Sequence, residues 1–431
     1  MSTVCVHGLG YIGLPTAAMM ANFDHHVYGY DTDRRLRSRL RDRDIHLDEP
    51  GLRAFVTQAL DSGALEITEE VVAARYHVIC VPTPLDGETK RADLEYVRSA
   101  GRSVAEWLRP EDTVILESTV PPGTTTDVFR PVVEESGLSA GTDFSLVHCP
   151  ETVLPGNIIA ELRENDRLIG GIDEASTASA RRLYESFVEG EIRTVSNPTK
   201  AEFAKLIQNT YRDVNIALAN EIARLAADYG IDSRETIDLA NTHPRVGIHR
   251  PGPGVGGHCL PIDPWFLGHA SDELDLVSTA RRVNDSMSTY VLGMLCEELG
   301  SLEGRKIAVL GVAYKGNVDD TRLSPGLKLA RELAGRAETD RVPVTDGGAG
   351  RRRPEVTLYD PHVTDPVRDL HDLERATSDA DAVIIATDHD EFERFDPAVF
   401  RERMDGRLVI DTQAVLDPSP WREAGFTVRR I

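Results

Sequence analysis

Short apolar runs punctuate both ends of the chain, and between them the hydrophobic period changes. Thr3–His7, His26–Tyr30, His77–Val81, Thr113–Leu116 and Phe144–His148 are rich in valine, isoleucine and leucine and are separated by helical or polar segments. That alternation predicts the parallel strands of a doubly wound sheet. Further on, Phe203, Leu206, Ile207, Val214, Leu218, Ile222 and Leu225 fall at helical spacing, which predicts one long helix with that stripe buried. Asn197 and Pro198 supply its N-cap and first turn, and Gly230 ends it. A second helical region spans about Leu274 to Leu299, after which the strand pattern resumes at Arg305–Gly316, a strand ending in a glycine turn, and at Glu355–Tyr359, Ala382–Ala386 and Leu408–Ile410. The expected fold is α/β, with two Rossmann-like doubly wound domains joined by a central helical region. Its boundaries are read as 1–195, 196–300 and 301–431. The Gly- and Arg-rich stretch between Gly335 and Arg353 reads as a surface insertion.

The first run leads straight into Gly8-Leu-Gly10-Tyr11-Ile12-Gly13 and an apolar helix, and the second run ends at Asp31. Strand, glycine turn, helix and acid in that order form a dinucleotide-binding fingerprint. The glycines permit a tight turn and close approach to a pyrophosphate, the helix N-terminus faces the phosphates, and the acid meets the ribose hydroxyls. Asp31 would repel a 2′-phosphate and so favours NAD over NADP, with Arg34 and Arg35 pulling the other way. The later strands end at Thr83, at Ser118-Thr119-Val-Pro-Pro-Gly123 and at Cys149-Pro-Glu151, where ligands lie in such sheets. On the long helix, Lys205 and Asn209 are four residues apart and share a face that Asp213 continues. The third region carries Lys315 and Arg322 after a glycine turn that lacks the full fingerprint, which suits a second nucleotide's phosphates.

Chemistry enters most sharply at Pro251-Gly-Pro-Gly-Val-Gly-Gly-His-Cys259-Leu-Pro-Ile-Asp263. Glycine and proline make this a loop rather than core, and Gly256 and Gly257 let the backbone approach a ligand. Cys259 is the candidate nucleophile, with His258 and Asp263 placed to tune a thiolate or handle protons. The alternative is a structural loop with a small apolar residue at 259. Cys5, Cys80, Cys149 and Cys296 sit in apolar strand or helix patterns and read as buried hydrophobes, and no spacing suggests a metal site.

Composition narrows the function classes. A net charge of −23 opposes nucleic-acid binding, since a polyanion would be repelled. No apolar run approaches the length needed to cross a membrane, and no leader precedes the first strand, so a cytoplasmic protein is expected. The only lysines are Lys90, Lys200, Lys205, Lys306, Lys315 and Lys328, and this acidic, lysine-poor chain suits a high-salt medium.

Together these residues resemble the nucleotide-sugar 6-dehydrogenases, the family of UDP-glucose, GDP-mannose and UDP-N-acetylmannosamine dehydrogenases. The resemblance covers nearly the whole chain, through Gly8–Gly13, Ser118–Gly123, Cys149–Glu151, Lys205 with Asn209, Gly256–Cys259 with Asp263, and Gly311-Val-Ala-Tyr-Lys315 with Asp320 and Arg322. The UDP-N-acetylmannosamine branch is nearest, through Val153–Gly156, Tyr211–Glu221, His243-Pro-Arg245-Val246 and Pro251–Cys259. Thr152 departs from that branch, which carries arginine there. The resemblance implies NAD-dependent, two-step oxidation of a C6 hydroxyl to a carboxylate through a thiohemiacetal and a thioester on Cys259. It gives Lys205 and Asn209 an oxyanion role, Asp263 and Thr119 a water-positioning role, and Glu151 an acid/base role. Thr83 and Thr119 would face NAD, while Arg212, Arg245, Gly256, Lys315 and Arg322 would hold the UDP-sugar, in a homodimer or larger homo-oligomer. A UDP-glucose or UDP-N-acetylglucosamine substrate is the alternative. From other classes, a single-step 3-hydroxy-acid dehydrogenase and an NAD-binding regulator without turnover remain open.

Overall fold

The computed structural model describes residues 2–47, 49–271, 273–335, 353–364 and 370–431. They form two compact units, Met1–Gln208 with Asp263–Glu273, and Asn209–Ile262 with Leu274–Ile431. Residues 336–352, most of the expected insertion, lie outside the described residues.

The first unit is built on strands β1 (Thr3–His7), β2 (His26–Tyr30), β3 (Leu65–Ile67), β4 (Tyr76–Ile79), β5 (Thr113–Leu116), β6 (Ser145–His148), β7 (Arg167–Gly171) and β8 (Ile192–Val195), in the order β3-β2-β1-β4-β5-β6-β7-β8. The order reverses between β1 and β4, the switch point where doubly wound sheets bind ligands. One junction departs from the all-parallel expectation: β6 and β7 run antiparallel, with Val147 opposite Gly171 and His148 opposite Gly170. The sequence hides β7 because it opens on a charged residue and ends in two glycines, a poor strand signature. The helix Gly13–Asn22 is buried along almost its whole length, in one apolar cluster with Val4, Val6 and Val27.

The second unit carries β9 (Lys306–Leu310), β10 (Glu355–Tyr359), β11 (Ala382–Ile385), β12 (Leu408–Asp411) and β13 (Thr427–Arg430), in the order β10-β9-β11-β12-β13. All of its pairs are parallel. It is thus a second doubly wound sheet, with its switch point between β9 and β11. The expected helical region between the sheets resolves into Pro198–Asp228, Ser233–Asn241, Asp275–Asp285 and Met287–Leu299.

Two expectations about these helices are corrected. The stripe predicted to be buried is largely exposed: Phe203, Ile207, Leu218 and Leu225 are 44, 47, 49 and 51% accessible. The buried face mixes Leu206 and several alanines with polar groups. Asp213 accepts from Arg281 Nη1 at 2.5 Å and Asn284 Nδ2 at 2.9 Å, and Asn220 bonds both Asn284 and the Gly252 N–H. Polar groups bonded to one another can share a buried face with small apolar residues, which periodicity alone does not reveal. Cys296 is also exposed, because Met287–Leu299 turns Val291, Met294 and Leu295 inward and leaves 296 on the other face.

His148, fully buried on β6, gives the first unit a pH signature. Burial lowers its pKa to about 3, outweighing a contact with the Leu116 backbone. Below the ordinary histidine pKa of about 6.5 the unfolded chain takes up a proton that the native ring refuses, so stability falls as pH drops through that window. His148→Leu removes this liability. In urea unfolding, the variant should gain stability over the parent by about 2 kcal/mol more at pH 5 than at pH 7.5, and an equal gain at both would contradict the assignment.

Candidate active site

The glycine turn of the first unit has the geometry its sequence demands. Gly8, at φ +90°, donates its N–H to the Tyr30 carbonyl at 2.8 Å, and a Cβ there would lie 2.5 Å from the Cys80 carbonyl oxygen. A Cβ on Gly13 would overlap the Gly8 carbonyl, so the helix that starts there can press against the end of β1 only without a side chain. Gly10 faces open space, as the residue nearest a pyrophosphate should. Asp31 accepts from the Leu9 N–H and the Asp33 N–H, both at 2.8 Å, which fixes its carboxylate beside the turn. Tyr11 donates to Glu49, whose carboxylate also receives the Gly156 N–H at 2.9 Å. Ile12 packs against the main apolar cluster. The first turn of the helix carries no acid, and these groups fit a dinucleotide.

The strand ends converge as expected. Ser118 Oγ staples β5 to β4, accepting the Val81 N–H at 2.9 Å, and Thr83 Oγ1 donates to the Thr119 carbonyl at 2.7 Å. Glu151 is held rigidly: Oε1 accepts the Thr152 and Val153 N–H groups at 2.5 and 2.8 Å, and Oε2 pairs with Arg167 at 2.7 Å. Arg167 is itself buried, with its guanidinium 5.5 Å from the centroid of the Tyr184 ring. Tyr184 in turn donates to Glu117 at 2.5 Å, and burial pushes the Glu117 carboxyl above its ordinary pKa. Sequence reasoning missed Arg167, Tyr184 and Glu117, since no spacing links three residues from separate elements.

Glu202 was also missed. Its carboxylate takes the Gly123 and Thr125 N–H groups at 2.6 and 2.7 Å and the Thr125 hydroxyl at 2.6 Å. It therefore pins the segment after Thr119 to the helix that bears Lys205 one turn later. An acid on an inward helix face was the signal available. Lys205 and Asn209 are each 8% accessible, while Asp213 is committed to Arg281 and Asn284. Asp263 is 3% accessible and opens the short helix Asp263–Leu267 of the first unit.

In the second unit the cysteine loop lies on the segment that follows β9. A Cβ on Gly256 would meet the Leu323 carbonyl at 2.7 Å and Tyr314 Cβ at 2.9 Å, and one on Gly257 would meet the Tyr314 ring at 3.0 Å. The Gly257 N–H donates to the Arg322 carbonyl at 2.9 Å. Cys259, two residues on, is exposed. Arg322 is bound bidentately by Asp320, which raises its pKa first, with Cys259 among the smaller electrostatic contributors. Burial and then the Arg322 charge lower the His258 pKa and favour a neutral ring. Lys315 is half-buried on the same segment, Arg212 is half-buried on the long helix, and Arg245 is exposed beside His243.

The glycine turn of this unit is more complete than the sequence suggests. Gly311, at φ +92°, donates to the Tyr359 carbonyl at 2.8 Å, and Asp360 accepts the Val312 N–H at 2.7 Å, as Tyr30 and Asp31 do in the first unit. A Cβ on Gly326 would overlap the Gly311 carbonyl, so Gly326 plays the part of Gly13. The fingerprint is present with its last glycine displaced by an excursion that carries Tyr314, Lys315, Asp320 and Arg322.

Comparison with known proteins agrees with this geometry. Residues 2–188 match the NAD binding domain, 199–286 the central domain and 308–418 the UDP binding domain of the UDP-glucose/GDP-mannose dehydrogenase family. A UDP-N-acetyl-D-mannosamine dehydrogenase from Methanocaldococcus jannaschii is 42% identical over 99% of this chain and 95% of its own. The structure of the UDP-D-ManNAc dehydrogenase of Pyrococcus horikoshii superposes with a TM-score of 0.90 at 42% identity, covering 100% of this chain and 99% of that one. A UDP-N-acetyl-mannosamine dehydrogenase from Staphylococcus aureus gives 0.86 at 37% identity, covering 100% and 98%. With its dinucleotide turn, thiol loop and second nucleotide-type turn, the chain belongs to the UDP-glucose/GDP-mannose dehydrogenase family and is an NAD-dependent nucleotide-sugar dehydrogenase.

Proposed function

We propose that the enzyme oxidises the C6 hydroxyl of UDP-N-acetyl-D-mannosamine to the carboxylate in two steps, with Cys259 as the covalent nucleophile. The substrate choice is supported by whole-length relatives that bear that activity in their names. The covalent role is supported by one observation above others: Cys259 is exposed on a loop that its glycines fit against Tyr314, within electrostatic reach of Arg322.

NAD⁺, when bound, accepts one hydride in each step. The protein's part follows from the substrate. After the first oxidation the C6 aldehyde has no hydride to give until a nucleophile adds to its carbon. The Cys259 thiolate forms the C–S bond, and the former carbonyl oxygen takes a proton, giving a thiohemiacetal. Loss of the second hydride to NAD⁺ and of the hydroxyl proton to a nearby base leaves a thioester, which water cleaves to the carboxylate and the free thiol. Lys205 and Asn209, neighbours on one helix face, stabilise the oxyanion that develops at each addition. Asp263 and Thr119 position the water, and Glu151, already locked by Arg167, serves the adjoining proton transfers. Arg212, Arg245, Lys315 and Arg322 hold the diphosphate sugar.

The proposed working form is a homodimer. Tyr211, Leu218 and Leu225 recur every seven residues along the Pro198–Asp228 helix and are 57, 49 and 51% accessible, with Tyr229 at 81%. A seven-residue apolar repeat on one helix is the pattern of a helix–helix seam. Among the described residues no helix is long and apolar enough to cross a membrane. We place the enzyme in the cytoplasm, supplying an acidic sugar for polysaccharide assembly.

Two measurements test this reading, both in molar salt to suit the net charge of −23. The purified enzyme should release two NADH per molecule of UDP-N-acetylmannosaminuronate, and Cys259→Ala should abolish acid formation. One NADH per product, or uronate production by Cys259→Ala near the parent rate, would refute the covalent route. Leu218→Asp with Leu225→Asp should halve the molar mass seen by light scattering, and an unchanged mass would remove that face from the interface.

A further inference from the structure

Beneath the dinucleotide turn, on the opposite face of the sheet from Val4 and Val6, three metal-ligating side chains meet. Cys5 and His7 are two residues apart on β1 and so share a face, and His77 stands directly beside Cys5 in the register with β4. One donor atom from each of Cys5, His7 and His77 lies within 4.8 Å of the other two. His7 Nε2 and His77 Nδ1 are 3.2 Å apart, a span that two metal–nitrogen bonds of about 2.0 Å can bridge. The three residues are 0, 2 and 0% accessible, and His77 Nε2 is buried without a hydrogen-bond partner. Val71, Ala74, Val72, Tyr28 and Tyr30 surround Cys5, and the covering residues 68–75 contain neither helix nor strand.

We propose that Cys5, His7 and His77 form a binding site for a single soft monovalent cation, Cu(I). Three donors, with no fourth histidine, cysteine or carboxylate joining them among the described residues, suit an ion that accepts low coordination, whereas zinc sites are almost always four-coordinate. Charge selects in the same direction. Cys5 loses its proton to solvent as the S–Cu bond forms, and each imidazole contributes a neutral lone pair, so the bound state Cu⁺·S⁻·(His)₂ carries no net charge. A divalent ion on the same ligands would leave one positive charge in an apolar pocket, which is costly. The lining favours that neutral bound state, since Val71, Val72 and Ala74 offer no counter-charge to an ion beside Cys5. The other histidine grouping, His362 with His389 and Glu391, lacks this readiness. Both ring nitrogens of His389 are engaged, one by the Asn317 N–H at 3.0 Å and one by Asp360 at 3.1 Å.

The site sits where it can be felt, because His7 directly precedes Gly8 and its carbonyl accepts the Cys80 N–H at 2.8 Å. The test uses the full chain with Cys259→Ser and Cys296→Ser, so that the two exposed thiols do not compete. Titrated with Cu(I) against the chromogenic chelator bicinchoninate, it should retain one equivalent. X-ray absorption should report one sulfur and two nitrogen neighbours. Adding Cys5→Ala or His77→Phe should weaken retention at least about tenfold, with the far-UV circular dichroism unchanged. No retention by the parent, retention unaffected in both variants, a sulfur-only shell, or displacement by stoichiometric Zn(II) would each overturn the proposal.

Discussion

Both sheets of this protein depend on a contact that only glycine permits, the start of a helix pressed against the carbonyl at the end of the first strand. In the first unit Gly13 meets Gly8, and in the second Gly326 meets Gly311. Any side chain at the second member of either pair would overlap a backbone oxygen. The close approach brings a helix N-terminus, with its unpaired N–H groups, to the carboxyl edge of the sheet, where an anionic ligand is best received. An aspartate at the end of the neighbouring strand, Asp31 or Asp360, then secures the turn through backbone N–H groups. The two units repeat this arrangement and differ in what lies between the glycines. The first keeps them five residues apart. The second interposes the segment that carries Lys315 and Arg322 and receives the cysteine loop.

Around these turns the polar groups are held by other polar groups rather than left to solvent. Glu151 is bound at both oxygens, Glu202 gathers three donors, and Asp320 clamps the Arg322 guanidinium through three bonds. Buried charges such as Glu151, Arg167 and Glu202 contribute little net stability, but removing one partner strands the other. Their value is geometric. Each fixes a loop at a strand end, so that groups proposed for catalysis are oriented before a ligand arrives. The proposed thiol chemistry also explains why only one cysteine stands in an exposed glycine-rich loop. Cys149 is buried, and burial raises its thiol far from reactivity at neutral pH.

Much of this was legible in the sequence because local patterns dictate it. The strands His26–Tyr30, Thr113–Leu116 and Glu355–Tyr359 fall where alternating segments place them, and Gly8 to Asp31 reads as a complete binding turn. What the sequence concealed is non-local. The antiparallel β7 opens on Arg167, a residue whose burial makes sense only once Glu151 and Tyr184 are beside it. The second glycine pair escaped notice because Gly326 stands far from Gly311 along the chain. The long helix misled because its apolar stripe faces outward while Asp213 and Asn220 face in, an inversion that depends on partners elsewhere. Cys5, His7 and His77 belong together only through the register of β1 with β4.

The central claim is that the same steric constraint builds two separate nucleotide sites, one for NAD and one for the UDP-sugar. Isothermal titration of Gly13→Ala and Gly326→Ala, each against NAD⁺ and UDP, tests it most directly. The account predicts that Gly13→Ala loses NAD⁺ and keeps UDP, while Gly326→Ala loses UDP and keeps NAD⁺. Parent-like affinity of a folded Gly326→Ala variant for UDP would contradict it.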